Sequence, residues 1–138
     1  MLSEVPRESP KPAARRCAHP LLVVEDDPDI REALSDLLEG EGYAVRTAAN
    51  GVEALHRLAA KPRPCVILLD LMMPVMNGWE FLVEKNRSQA LSQIPVVVVS
   101  AVNGGAPNVS AIMPKPLDVD RLLSIVRALC FGKPVNRA

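Results

Sequence analysis

Short apolar runs separated by amphipathic segments constrain this chain more than any other feature. LLVV (21–24), CVILL (65–69) and VVVV (96–99) are continuous, and Ala111 to Met113 forms a shorter run. Runs of this length read as strands buried on both faces, not as helices. A further strand is expected over Tyr43 to Ala48. Between the strands, apolar residues recur at helical spacing: Ile30, Ala33, Leu34, Leu37 and Leu38, then Val52, Leu55 and Leu58. Another helix is expected from about Trp79 to Ala90, and a last one from Leu117 to Leu129. Such alternation implies a parallel sheet with helices on both sides. Right-handed crossovers then put every strand's C-terminal end on one edge, where ligands of such sheets bind.

The punctuation agrees. Asp27-Pro28 supplies an N-cap and a proline at the first helical position, and Gly40 and Gly42 stop that helix. Asn50-Gly51 opens the next helix, and Pro62 and Pro64 close it. Residues 1–19 hold three prolines and little periodic apolar content, so a flexible tail is expected there. The ordered domain is expected over 20–130, with a short tail over 131–138.

Composition excludes several classes. A chain of 138 residues allows one ordinary domain, and 49% apolar content fits a packed core. Lys plus Arg and Asp plus Glu each number 16, so no cationic excess marks a nucleic-acid binder. Tyr43, Trp79, Phe81 and Phe131 are too few for a base-stacking platform. Cys17, Cys65 and Cys130 form no CxxC and no Cys/His cluster, so reduced thiols are expected, with neither a disulfide framework nor zinc. No apolar run reaches the roughly 18 residues of a membrane span, and no secretory signal is visible, so the expected location is cytoplasmic.

The residues just after each strand carry the chemistry. Glu25, Asp26 and Asp27 follow the first strand, Asp70 the third, Ser100 the fourth and Lys115 the fifth. Each alone has an ordinary structural reading, such as helix-dipole compensation or a turn. Their convergence on one edge is what points to function. Clustered carboxylates need a cation among them. Lys115 supplies one charge, and an oxygen-only donor set without His or Cys favours Mg²⁺. An aspartate neutralised in this way can attack phosphorus and form an aspartyl phosphate, with Ser100 donating to the phosphoryl oxygens.

VVEDDPDIREAL (23–34), LLDLMMPVMNG (68–78), VVVVSA (96–101) and Lys115-Pro116 together resemble the receiver domain of two-component response regulators. The likeness covers about residues 20–130. It implies a flavodoxin-like, doubly wound five-stranded parallel sheet of order 2-1-3-4-5. It makes Asp70 the phosphoacceptor, Ser100 the switch hydroxyl and Lys115 the phosphate contact. Asp26 and Asp70 would bind Mg²⁺ directly and Glu25 through water, with the main-chain carbonyl of Met72 completing the protein ligands. Asp27 matches a variable position and is expected to cap the helix. The Lys115-Pro116 bond is expected to be cis. A histidine kinase, a phosphotransfer protein or a small phosphodonor would supply the phosphoryl group. The receiver would catalyse only its own phosphorylation and dephosphorylation.

The chain departs from the family pattern in two places. Ile112 stands where an aromatic usually follows the hydroxyl inward. The segment AVNGGAPNVSAIMP between Ser100 and Lys115 is too short and too rich in glycine and proline for a full helix. The fourth helix is therefore expected to be lost or reduced to a turn, and output is expected through another surface, the loop 101–110 or the first helix. Met72 and Val102 are apolar where the hydrolytic water would pass, so a persistent phosphoryl group is expected. Since nothing follows Arg137-Ala138, a stand-alone regulator is expected, signalling by contact with a downstream protein and not by direct nucleic-acid binding. The alternative is a receiver-like interaction module that does not switch by phosphorylation. An aspartate-nucleophile phosphatase would need an acid at Met72, and a flavodoxin would need a phosphate-cradling loop after the first strand.

Overall fold

Every strand of the five-stranded sheet is parallel to its neighbours, and the strand order is β2-β1-β3-β4-β5. The structure is a computed structural model that describes residues 19–100, 106 and 108–131. The expectations for residues 1–18 and 132–138, for Val102 and for most of the 101–110 segment lie outside those residues. The strands are β1 (Leu21–Val24), β2 (Val45–Ala48), β3 (Val66–Leu69), β4 (Val96–Ser100) and β5 (Ala111–Pro114). The helices are α1 (Pro28–Gly40), α2 (Gly51–Ala59), α3 (Gly78–Asn86), the single turn α4 (Gln89–Ser92) and α5 (Val119–Phe131).

The apolar runs divide residue by residue between two cores. Leu22, Val24, Ile67, Leu69, Val96 and Val98 join one cluster with Leu58 and Phe81. Leu21, Val23, Val66, Leu68, Val97 and Val99 join the other with Leu38, Leu122 and Val126. Side chains alternate across a strand, so a run apolar at every position must be covered on both sides. β5 differs. Only Met113 is fully buried there, and Ile112 stays exposed on this edge strand.

Local chemistry sets the ends. Asp27 caps α1, accepting from the amides of Asp29 and Ile30. Gly42 takes φ 98, and the amides of Gly42 and Tyr43 return to the carbonyls of Glu39 and Leu38. This Schellman closure uses Tyr43 to finish the helix, so β2 begins at Val45 and not at Tyr43. The helix expected over 79–90 is also divided. Arg87 ends α3, and Ser88 caps α4 by accepting from the amide of Leu91. A serine side chain that bonds backbone amides competes with helix continuation. The buried Lys85 ammonium fastens the break, donating to Asn86 Oδ1 at 3.3 Å and to the Ser92 carbonyl at 3.4 Å. Burial lowers the Lys85 pKa.

Lys115-Pro116 is cis, as expected, and so is Lys61-Pro62. Between β4 and β5, no helical residue occurs among the described residues Ala106 and Asn108–Ser110. Ala106 and Val109 pack against the first core cluster, and the Ser110 amide donates to the Val96 carbonyl at 2.8 Å.

Gly78 opens α3 hard against the end of β3. A Cβ there would lie 2.7 Å from both the Asp70 carbonyl oxygen and Leu71 Cα. Those are backbone atoms that cannot rotate away. Gly78→Ala is expected to destabilise the fold by about 1–3 kcal/mol, read from urea unfolding. An unchanged midpoint would show that the loop yields freely.

Candidate functional site

The register of the sheet assembles the site. Val24 pairs with Leu69, so Glu25 and Asp70 leave adjacent strands side by side. The ladder extends past the strand ends: the Asp70 amide donates to the Val24 carbonyl and the Glu25 amide to that of Ala48, both at 3.0 Å. On the other side, Ser100 pairs with Pro114, and the Lys115 amide donates to the Ser100 carbonyl at 3.2 Å. The hydroxyl-bearing residue and the ammonium-bearing residue therefore leave β4 and β5 together.

Glu25, Asp70 and Ser100 are all buried, at 3%, 6% and 3% exposure. Carboxylate oxygens of Glu25, Asp26 and Asp70 lie within 4.8 Å of one another. Lys115 crosses from β5 to reach them, with its Nζ 3.2 Å from Glu25 Oε1. The second Glu25 oxygen accepts from the Asp27 amide at 3.2 Å. Asp70 Oδ1 accepts from the Met72 amide at 3.3 Å. Glu25, Asp26, Asp70 and Lys115 thus meet, Ser100 leaves β4 beside Lys115, and Asp27 turns to cap α1.

Two contributors were not visible in the sequence. Arg31, one turn into α1, donates from Nη1 to the carbonyls of Glu25 (2.9 Å) and Asp26 (3.4 Å). It holds the acidic turn from behind through carbonyls, which no residue pattern announces. The loop from Asp70 to α3 carries Val75 at φ 69, 80% exposed. A β-branched residue in that region is strained. The loop nevertheless ends in a well-formed capping box: Asn77 Oδ1 accepts from the Glu80 amide, and Glu80 Oε1 accepts from the Asn77 amide.

The electrostatics follow from burial. Desolvation pushes Glu25 from its ordinary 4.5 up to about 7, and the nearby Asp70 charge adds to the rise. The hydrogen bond from the Asp27 amide and the Lys115 charge pull it back only in part. Asp70 is raised as well, first by burial, against the opposing pull of Lys115 and the Met72 amide. One ammonium does not neutralise this cluster. The donor set is all oxygen, which suits a hard divalent cation.

Comparison with known proteins agrees with this geometry. The family model for the response regulator receiver domain matches residues 21–127. Among curated proteins, the transcriptional regulatory protein CpxR homolog of Haemophilus influenzae is 38% identical over 118 residues, covering 84% of this chain and 44% of that protein. The probable transcriptional regulator ycf29 of Pyropia yezoensis is 34% identical over 119 residues, covering 81% and 53%. The chain thus spans about half the length of these curated relatives. Among solved structures, the signal receiver domain of a signal transduction histidine kinase from Syntrophus aciditrophicus superposes with a TM-score of 0.75 at 29% identity, covering 85% of this chain and 93% of that one. The response regulator protein TrrA of Thermotoga maritima, in complex with Mg²⁺-BeF, gives 0.71 at 28% identity, covering 80% and 98%.

Glu25 holds its proton up to about pH 7 in the fold but only to about 4.5 in the unfolded chain. The stability linked to that proton is complete below 4.5 and lost as pH rises through 7. In metal-free buffer the thermal midpoint is therefore expected to fall across this window, and Glu25→Gln to flatten the fall. An equally steep profile in the variant would assign the titration elsewhere.

Proposed function

Because the chain belongs to the receiver-domain family of response regulators, we propose that it is a phosphorylatable regulator of two-component signalling that accepts a phosphoryl group on Asp70. The observation that carries this reading is the buried Asp70, set beside Glu25 and Asp26 and faced by a single ammonium from Lys115. Response regulators are signalling proteins, and receiver domains exchange phosphoryl groups with histidine kinases or phosphotransfer proteins.

Mg²⁺ fits the donor set, and Glu25, Asp26, Asp70 and the main-chain carbonyl of Met72 would hold it. When bound, the ion neutralises carboxylate charge and polarises a phosphoryl oxygen. The chain's own residues do the rest. A carboxylate oxygen of Asp70 forms the new bond to phosphorus. The bond from phosphorus to the donor nitrogen or acyl oxygen breaks, and its electron pair leaves with the donor. Lys115 exchanges its Glu25 oxygen for a phosphoryl oxygen, and the Ser100 hydroxyl donates to another. The receiver catalyses only this transfer and its later hydrolysis.

Signalling then proceeds by protein contact. An apolar groove of about 440 Å³ lies between α1 and the start of α5, lined by Ile30, Ala33, Leu34, Leu37, Leu117 and Val119. Ile30 lies one turn from Asp27, so one end of this groove borders the carboxylate edge. A second reading is favoured by Ile112. It is 44% exposed on β5 and stands where the resemblance expects an aromatic, which suits a module that binds without switching.

A phosphate-affinity gel separates the two readings. With Mg²⁺ and a small acyl phosphate, the wild type is expected to shift, and Asp70→Ala or chelation of Mg²⁺ to abolish the shift. No Asp70-dependent shift would favour the non-switching module. The Met72 side chain is 56% exposed and apolar, so it cannot orient a hydrolytic water. Met72→Asn, which keeps the main-chain carbonyl, is expected to shorten the phosphoryl lifetime. Identical decay of label in both proteins would reject that role.

A further inference from the structure

Away from the carboxylate edge, the fold joins two thiols that the sequence holds 65 positions apart. Cys65 stands immediately before β3, and Cys130 lies in the last turn of α5. Their Sγ atoms are 2.7 Å apart and partly buried. Both neighbourhoods are held in place. The Cys65 amide donates to the Pro20 carbonyl at 3.0 Å, and its thiol lies 3.6 Å from the His19 carbonyl. The end of α5 is anchored by Phe131, whose ring stacks on Tyr43 with centroids 6.5 Å apart. The approach of the two sulfurs is thus set by the sheet and the helix, not by a loose terminus.

Two thiols this close have two chemistries open to them beyond packing, metal binding and oxidation. A tetrahedral zinc site with Zn–S near 2.3 Å would hold its sulfurs about 3.8 Å apart. These sulfurs lie closer than that. Among the described residues, the one group of three potential metal ligands is the carboxylate cluster, not this pair.

We propose that Cys65 and Cys130 form a reversible disulfide when the chain meets a peroxide. One thiol, as its thiolate, attacks a peroxide oxygen; the O–O bond breaks, the leaving hydroxide takes up the proton the thiol gave up, and a sulfenic acid and water result. The second thiol attacks the sulfenic sulfur, the S–O bond breaks, and a second water leaves. Two thiols and one hydrogen peroxide thus become a disulfide and two waters. A dithiol reductant reverses the step by exchange and is itself oxidised. Partial burial leaves the sulfurs within reach of both small reagents.

The bond ties the start of β3 to the end of α5. Asp70 stands at the other end of β3, so roughly 17 Å of strand separates the bond from the carboxylates. The segment it closes contains Asp70, Ser100 and Lys115. It therefore clamps α5 against the sheet without entering the acidic site, and the inference is independent of the phosphoryl-transfer reading.

Peptide mapping tests it directly. The reduced chain is treated with hydrogen peroxide, alkylated and digested. A linked peptide pair containing Cys65 and Cys130 is expected, reversed by dithiothreitol and retained in Cys17→Ser. The thermal midpoint is expected to rise by about 5–10 °C on oxidation, because a long loop has been closed. Recovery of both residues as alkylated thiols, or a crosslink that uses Cys17 instead, would overturn the proposal. So would stoichiometric zinc in the purified protein that blocks oxidation of the pair.

Discussion

Two carboxylates emerging from adjacent parallel strands into a dry edge set the terms for the rest of the molecule. The pairing of Val24 with Leu69 leaves Glu25 and Asp70 nowhere else to go. Burial is the larger cause of their raised proton affinity; the Asp70 charge adds to the rise at Glu25, and the Asp26 charge adds to that at Asp70. Two unit charges at about 5 Å repel by roughly 3 kcal/mol at an effective dielectric constant near 20. Lys115 offsets part of this through its 3.2 Å contact with Glu25. What remains is a standing demand for positive charge, met by a proton or by a divalent ion. On the proposed function, a phosphoryl group on Asp70 would add negative charge at the same place. Lys115 and Ser100, which leave neighbouring strands together, are the residues that would answer it.

Such an edge survives only on a stiff scaffold. β1, β3 and β4 supply it, since nearly every residue in them is fully buried and alternates between two cores. Each of these strands feeds both cores, so a shift of any one of them would disturb both. The loops over the site are held by backbone hydrogen bonding: Arg31 grips the carbonyls of the acidic turn, and Gly78 lets α3 start against the Asp70 carbonyl. β5 carries less of this burden. Its half-exposed pattern leaves Ile112 at the surface.

Much of this was legible in advance because the signals were local. Asp27 and Asn50 cap the helices they were expected to open, since a short polar side chain before a proline or glycine has few other uses. The strand-end residues Glu25, Asp26, Asp70 and Lys115 converge as expected, because parallel strands with right-handed crossovers must end on the same edge. The structure departs from these local signals where a residue's partner is distant or its role lies in the backbone. Tyr43 looked like strand and instead closes a helix. Ser88 looked like helix interior and instead starts a new turn around the Lys85 ammonium. Arg31 gave no signal because it works on carbonyls.

The sequence by itself determined the layering, the order of elements and the set of groups delivered to one edge, because apolar periodicity and capping act over a few residues. Only the tertiary structure decided how close those groups come, how dry the edge is and therefore how strongly Glu25 and Asp70 resist ionisation, since burial is a property of everything packed around them. It also decided that Cys65 and Cys130 meet. The 65-position separation in the chain carries no local trace of that contact. It exists because α5 folds back across the sheet and ends where β3 begins.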